Sequence, residues 1–308
     1  MPIMMIRRTC ILSLLLALGA GALAAPPRII SLSPHITELL FAAGAGDRIV
    51  GVDDMSDYPP AVAGIARVGE ASALDVEGLL KLKPTLIVLW DSGTPPRRKE
   101  ELRRLNLQLY VTEQHHLDDI ATTLLDFGRL AGTETVAAAA AGRYRSELAQ
   151  LRAQYAGRPR LRAFFQVWDR PLYTLSGEHV VTEVLSLCGA DNVFADLTTL
   201  APAIDREAVL ARDPDVILIG ATGTEGARQA ADWGRFGNLR AVRNQHIFTV
   251  DPSLIGRMSP RILQGVRDVC DVLDRARNVR RRATDAPLGA RLTAVSNKRQ
   301  WSDDIGRR

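Results

Sequence analysis

The sequence predicts an α/β fold made of two similar lobes with mainly parallel sheets, bridged by one long α-helix. Three observations predict it. EGLLKLKPTLIVLW, from Glu77 to Trp90, is echoed by EAVLARDPDVILIG, from Glu207 to Gly220. In both, a Glu is followed seven residues later by a Pro and then by a run of aliphatic residues. TELLFAAGA from Thr37 is likewise echoed by TEVLSLCGA from Thr182, and both echoes occur in the same order. Ordered repeats mean repeated construction. Between the copies lies ETVAAAAAGRYRSELAQLRAQYAG, Ala-rich and built of helix formers throughout. It ends at Gly157 with Pro159 just beyond, a normal helix stop.

The elements follow in order. Residues 1–24 hold two arginines, an apolar run and Ala22-Leu23-Ala24. Those are the three regions of a cleaved export signal. The apolar run, residues 11–23, falls short of the roughly 20 residues that a membrane span needs. The first lobe covers residues 27–130. Its strands are expected near 28–32, 49–52, 86–90 and 108–111, and its helices near 36–43, 75–82, 97–105 and 117–130. The bridging helix covers 131–157. The second lobe covers 160–275, with strands near 161–167, 192–194, 215–220 and 246–250 and helices near 180–187, 205–212 and 260–275. Residues 276–308 form a basic tail without sustained periodicity, which reads as disordered.

Local chemistry accounts for most of the first echo. Asp75 and Asp205 stand two residues before the repeated Glu, where an N-cap side chain accepts a backbone N–H. Glu77 and Glu207 then favour the helix dipole from the first turn. Leu79, Leu80 and Leu82, with Val209 and Leu210 in the second copy, supply an inward face. The proline stops the helix, because the residue before it avoids the helical region. LIVLW and VILIG lack alternation, as parallel strands buried on both faces do.

Charge and cysteines narrow the function. The net charge is +4 over 308 residues. Two arginines belong to the leader, and residues 275–308 hold ten Arg or Lys against three Asp, which leaves the core at −5. The basic character is therefore a property of the tail and does not describe a nucleic-acid surface. Export removes Cys10 and leaves Cys188 and Cys270. An oxidising compartment favours pairing them, which would pin the last helix to the second lobe. Two independent buried thiols are the alternative.

Signatures of catalysis are missing. The sequence has no Walker loop, no G-x-S-x-G elbow, no H-E-x-x-H and no C-x-x-C. The five histidines include no pair at helical spacing, and His115–His116 are adjacent, so no metal site is expected. His35 stands in SLSPHITE, a strand-to-helix loop, and open α/β sheets bind ligands at such C-terminal strand ends. The same rule gathers Tyr58 after the second strand, Trp90 and Trp168 at strand ends, and Asp251, Ser253 and Arg257 after the last strand. Aromatic rings with a few polar groups suit a small-molecule pocket.

RIISLSPHITELLFAAGAGDRIVGV, SDYPP, LKPTLIVLW, LCGADNVFAD, REAVLARDP and SPRIL resemble, in order, the periplasmic cobalamin-binding proteins of ABC importers. That family belongs to the helical-backbone class, which also carries haem and iron-siderophores. The resemblance spans roughly residues 27–275. It implies a class III periplasmic binding protein, without enzymatic activity or cofactor, that captures cobalamin or a related corrinoid. It also implies a cleft lined by Tyr58, Trp90, Trp168 and Arg257, and a Cys188–Cys270 disulfide. Glu77 and Glu207, one per lobe, match the glutamates that pair with arginines on the inner-membrane permease dimer. A monomer in the periplasm is expected. Ala71 and Ala201 depart from the pattern, since each stands where an aromatic is found. Haem or a ferric siderophore, with His35 or Tyr58 on the metal, is the alternative ligand. A secreted metal-dependent hydrolase is a distant alternative.

Overall fold

The structure, a computed structural model, describes residues 25–285. The expected export signal and residues 286–308 of the tail lie outside them. The first lobe opens with β1 (Ile29–Ser31), α1 (Pro34–Ala42), β2 (Ile49–Val52) and β3 (Ala66–Arg67). A small hairpin of β4 (Gly69–Glu70) and β5 (Ala73–Leu74) follows. Next come α2 (Val76–Lys81), β6 (Leu86–Trp90), α3 (Pro96–Arg103), β7 (Gln108–Thr112) and α4 (Leu117–Ala131). The sheet order is β3-β2-β1-β6-β7, and its strands pair in parallel.

The bridging helix is α5 (Glu134–Tyr155). The second lobe begins with β8 (Leu161–Gln166) and a hairpin of β9 (Trp168–Asp169) and β10 (Leu172–Tyr173). It continues through α6 (Val180–Leu187), β11 (Ala190–Asn192), α7 (Arg206–Arg212), β12 (Val216–Gly220), α8 (Gly223–Gly234) and α9 (Arg240–Arg243). β13 (Ile247–Val250), α10 (Pro252–Ile255) and α11 (Ile262–Asp285) close it. Its parallel sheet runs β11-β8-β12-β13. The two orders superpose: β2, β1, β6 and β7 correspond to β11, β8, β12 and β13.

Both faces of each sheet are covered, as the apolar runs require. Leu86 and Val88 of β6 point to one core, and Ile87 and Leu89 point to another. Val216 and Leu218 of β12 share the first of these cores with Leu86 and Val88, while Ile217 and Ile219 face a third. One continuous core thus joins the inner faces of the two lobes through α1, α4, α5, α6 and α11. α5 contributes the stripe Ala137, Ala141, Tyr144, Leu148, Leu151 and Tyr155, spaced three or four residues apart. Its N-terminal neighbour α4 turns back through Gly132, whose φ of 69° is the left-handed conformation that glycine tolerates.

Several expectations need correction. Leu80 is 44% exposed, whereas its neighbour Leu79 is fully buried. Consecutive helical residues diverge by about 100°, so only one of them can face the sheet. The strand expected at 192–194 is β11, two residues earlier. The helix α8 was not foreseen, because the three glycines in GTEGARQAADWG mask its periodicity. The tail does not begin at 276. α11 continues to Asp285, and Ala276 and Arg277 are buried. Arg277 donates to the carbonyls of Pro159, Cys188 and Gly189, which ties the start of the basic segment to the second lobe. Cys188 and Cys270 are joined in a disulfide that fastens the end of α6 to α11.

Candidate functional site

The candidate site lies where the C-terminal strand ends of the two lobes face each other. On the first lobe, β1 delivers Ser33 and His35, and β6 delivers Trp90. The Ser33 hydroxyl is 2.7 Å from His35 Nδ1. The His35 and Trp90 rings meet edge to face, with centroids 5.2 Å apart and planes at 88°. Trp90 Nε1 donates to Glu113 Oε1 at 2.7 Å, and the other Glu113 oxygen accepts from the backbone and hydroxyl of Ser92. Glu113 thus holds the indole through its single N–H donor. Burial pulls the His35 pKa down to about 4, opposed by Glu113 and assisted by Arg257. The ring is neutral at pH 7, and its Nε2 is buried without a hydrogen-bond partner.

On the second lobe, the ends of β8, β12 and β13 enclose a mainly apolar cavity of about 160 Å³. Phe165, Val167, Leu175, Gly220 and Ile255 line it, with His179 on its wall. His179 Nδ1 accepts from the Val181 N–H as the N-cap of α6. Burial lowers its pKa to about 4 as well.

Between the lobes, Arg257 donates to Glu38 Oε1 at 3.0 Å and also pairs with Asp57. The Arg257 bond holds the Asp57 carboxyl below its ordinary range. Arg261 donates to the same Glu38 oxygen at 3.0 Å, and its guanidinium lies 4.0 Å from the centre of the Tyr58 ring. A hollow of about 350 Å³ opens here, lined by Phe41, Ala42, Tyr58, Pro59, Pro260 and Arg261.

The structure brings His35, Trp90, Tyr58 and Arg257 to this inter-lobe region. The other expected site residues are placed differently. Trp168 sits in the β9–β10 hairpin and not on the end of β8. It is 62% exposed, and no ring contact joins it to Trp90 or Tyr58 among the described residues. Asp251 caps α10 by accepting from Ser253 N at 2.8 Å, so the pair serves a local turn. Asp251 also lines a hollow of about 610 Å³ with Asp268, Asp271, Asp274 and Arg275 along α11. That hollow is larger than those of the cleft but holds none of the cleft's aromatics. Ala71 is half-buried and Ala201 exposed. Among the described residues, no three His, Cys, Asp or Glu side chains gather to hold a metal ion.

Glu77 and Glu207 are exposed in the first turns of α2 and α7. Asp75 accepts from Gly78 N and Asp205 from Ala208 N, so both helices have the expected caps. Glu77 pairs with Lys81, which is also exposed. Sequence reasoning missed Glu38, Asp57, Glu113, Ser259 and Arg261. Glu38 carried a signal as the acidic residue of the second echo, and Asp57, Ser259 and Arg261 lie in the quoted stretches SDYPP and SPRIL.

A model of the periplasmic binding protein family matches residues 29–254. The vitamin B12-binding protein of Vibrio cholerae is 37% identical over 246 residues, covering 80% of this chain and 88% of the relative. That of Yersinia pestis is 35% identical over 80% of this chain and 86% of its own length. The crystal structure of the periplasmic vitamin B12 binding protein BtuF of Vibrio cholerae superposes with a TM-score of 0.76 at 36% identity, covering 82% of this chain and 98% of that one. The periplasmic heme-binding protein RhuT from Roseiflexus sp. RS-1, in its apo form, gives 0.72 at 25% identity, covering 82% and 99%. The ordered repeats, the bridged two-lobe architecture and these matches agree, and the chain belongs to the periplasmic binding protein family.

Proposed function

We propose that this protein captures cobalamin or a related corrinoid between its lobes and delivers it to an inner-membrane ABC importer. The observation that carries this reading is the cleft itself. A Trp90–His35 pair stands at the strand ends of one lobe and an apolar cavity at those of the other, in a chain 37% identical to a vitamin B12-binding protein. A large, flat, amide-rimmed ligand suits aromatic and apolar walls with a few polar groups. Trp90, Tyr58 and Arg257 are the proposed contacts, with Trp168 reaching the ligand from its exposed hairpin and His35 supporting Trp90 from beneath. Ala71 and Ala201 leave the walls thinner, which fits a corrinoid of variable periphery. The protein makes and breaks no bond, acts as a monomer in the periplasm and needs no cofactor.

Glu77 and Glu207 are the proposed docking residues. They occupy equivalent exposed sites on the two lobes, as a two-fold permease dimer requires. Reversing both charges to Arg abolishes uptake and leaves ligand affinity unchanged. Undiminished uptake would remove the docking role.

Calorimetric titration with cyanocobalamin, cobinamide and haem tests the ligand. Saturable binding of a corrinoid, weakened about tenfold or more by Trp90→Ala, is expected from the loss of stacking area. Haem binding with a Soret band and no corrinoid binding would transfer the reading to haem, for which the exposed Tyr58 hydroxyl is the available ligand.

A further inference from the structure

The second echo has a role that its helical pattern conceals. Thr37-Glu38 lies within α1, just past its first turn, and Thr182-Glu183 holds the matching place of the repeat in α6. The threonines act within their own lobes: Thr37 bonds Ser31 and Ser56, and Thr182 bonds the Ser176 carbonyl and Asn192. The glutamates reach across. Glu38 Oε2 accepts from the Ser259 hydroxyl at 2.5 Å, and its Oε1 accepts from Arg257 and Arg261. All three partners precede or open α11, the last helix of the other lobe. Glu183 Oε2 accepts from the backbone N–H of Leu117 at 2.9 Å, at the first residue of α4, the last helix of the first lobe. Its Oε1 accepts from Arg152 of α5, which also pairs with Asp118. His116 Nδ1 stands 3.7 Å away.

The two contacts are thus related as the lobes are. Each lobe's first helix sends a carboxylate to the N-terminal end of the other lobe's closing helix, where Glu183 takes a backbone amide and Glu38 takes a hydroxyl and two guanidinium groups. A pair of such ties at two places restrains rotation between the lobes as one cannot. The ties differ in burial: the Glu38 side chain is 2% exposed and the Glu183 side chain 27%.

We propose that Glu38 and Glu183 are positioning residues that set the width of the ligand cleft by fastening the two lobes reciprocally. Glu38 also fixes Arg257, a proposed ligand contact, from the opposite wall. The affinity arm of the test below rests on the corrinoid reading; the distance arm does not.

The experiment places spin labels through cysteines on the exposed Gln108 and Ala227, one per lobe, with the native disulfide intact. The inter-lobe distance distribution is measured in the ligand-free protein. The parent gives one narrow peak. Glu38→Gln and Glu183→Gln each broaden it, Glu38→Gln more, and the double variant broadens it most. Cyanocobalamin affinity falls on the order of tenfold in the double variant, because fewer molecules hold the binding width, and saturating ligand restores the narrow peak. Should Glu38→Gln fail to fold, Ser259→Ala with Arg261→Lys loosens the tie while Arg257 still pairs with the carboxylate. A folded double variant with an unchanged narrow peak overturns the proposal. Broadening in a protein whose parent binds no corrinoid upholds the ties and overturns the ligand.

Discussion

Ala43 and Cys188 occupy the same position of the Thr-Glu repeat, at the end of the first helix in each lobe, yet the two lobes secure that point differently. In the first lobe, the Ala43 carbonyl accepts from the Thr133 hydroxyl at 2.7 Å. Thr133 lies in the tight turn between α4 and α5, so the closing helix of this lobe is held by chain continuity with the bridge. In the second lobe, the Cys188 carbonyl accepts from the Arg277 guanidinium at 2.6 Å, and Cys188 itself is bonded to Cys270. α11 has no following helix to pack it down among the described residues. A covalent bond and a buried guanidinium replace the helical hairpin. Repeated architecture therefore does not require repeated fastenings. It requires that each lobe's closing helix be tied by whatever its chain neighbours allow.

The largest effect comes from removing the covalent tie. The disulfide closes a loop of 82 residues, for which the chain-entropy argument gives about 4–5 kcal/mol. Cys188→Ala with Cys270→Ala should lower the denaturation midpoint accordingly, and hydrogen exchange should rise in α6 and α11 before α1 and α4. Equal loss of protection in both lobes would mean that they unfold as one unit through their shared core.

Acid should separate the lobes next. His35 and His179 titrate near 6.5 in the unfolded chain and near 4 in the folded one. Below 6.5 the unfolded chain binds protons that the folded chain refuses, so stability is full above about pH 6.5 and falls as pH drops towards 4. The buried His35 accounts for roughly 3 kcal/mol of that fall, and the half-buried His179 for less. Denaturation curves across this range should flatten in His35→Gln more than in His179→Gln; identical slopes in parent and variants would refute the assignment.

Arg277→Ala removes a charged donor from the Pro159 and Cys188 carbonyls, while Gly189 keeps the Leu161 N–H, and should cost about 2–3 kcal/mol, whereas Thr133→Ala loses one neutral bond, worth about 1 kcal/mol. Equal losses in urea titrations would erase the contrast drawn between the two fastenings. The smallest effect is also the most symmetric. Asp75→Ala and Asp205→Ala each remove one N-cap and should each cost about 1 kcal/mol, and a clear inequality would show that α2 and α7 are not equivalent supports for Glu77 and Glu207.

Much of the architecture was legible because it is written locally. Proline stops, aspartate caps and unalternating aliphatic runs act within one or two turns, so Asp75, Asp205 and the strands β6 and β12 could be read directly. The candidate site was legible only in part. Trp90, His35, Tyr58 and Arg257 follow from their places after strands. Trp168 and Asp251 follow the same rule, yet one went to an exposed hairpin and the other to a helix cap. Position after a strand brings a residue to the rim but does not set the direction of its side chain.

By itself, the sequence determined the order of elements, the two-lobe repeat, the helical bridge and the depth of the central strands, because hydrophobic period and capping are properties of neighbouring residues. Tertiary structure alone decided what Glu38, Glu183 and Arg277 do. Their partners lie far along the chain, 219 residues away for Glu38 and Arg257. A buried carboxylate or guanidinium takes its role from whichever distant donors or acceptors the fold delivers, since it cannot remain buried without them.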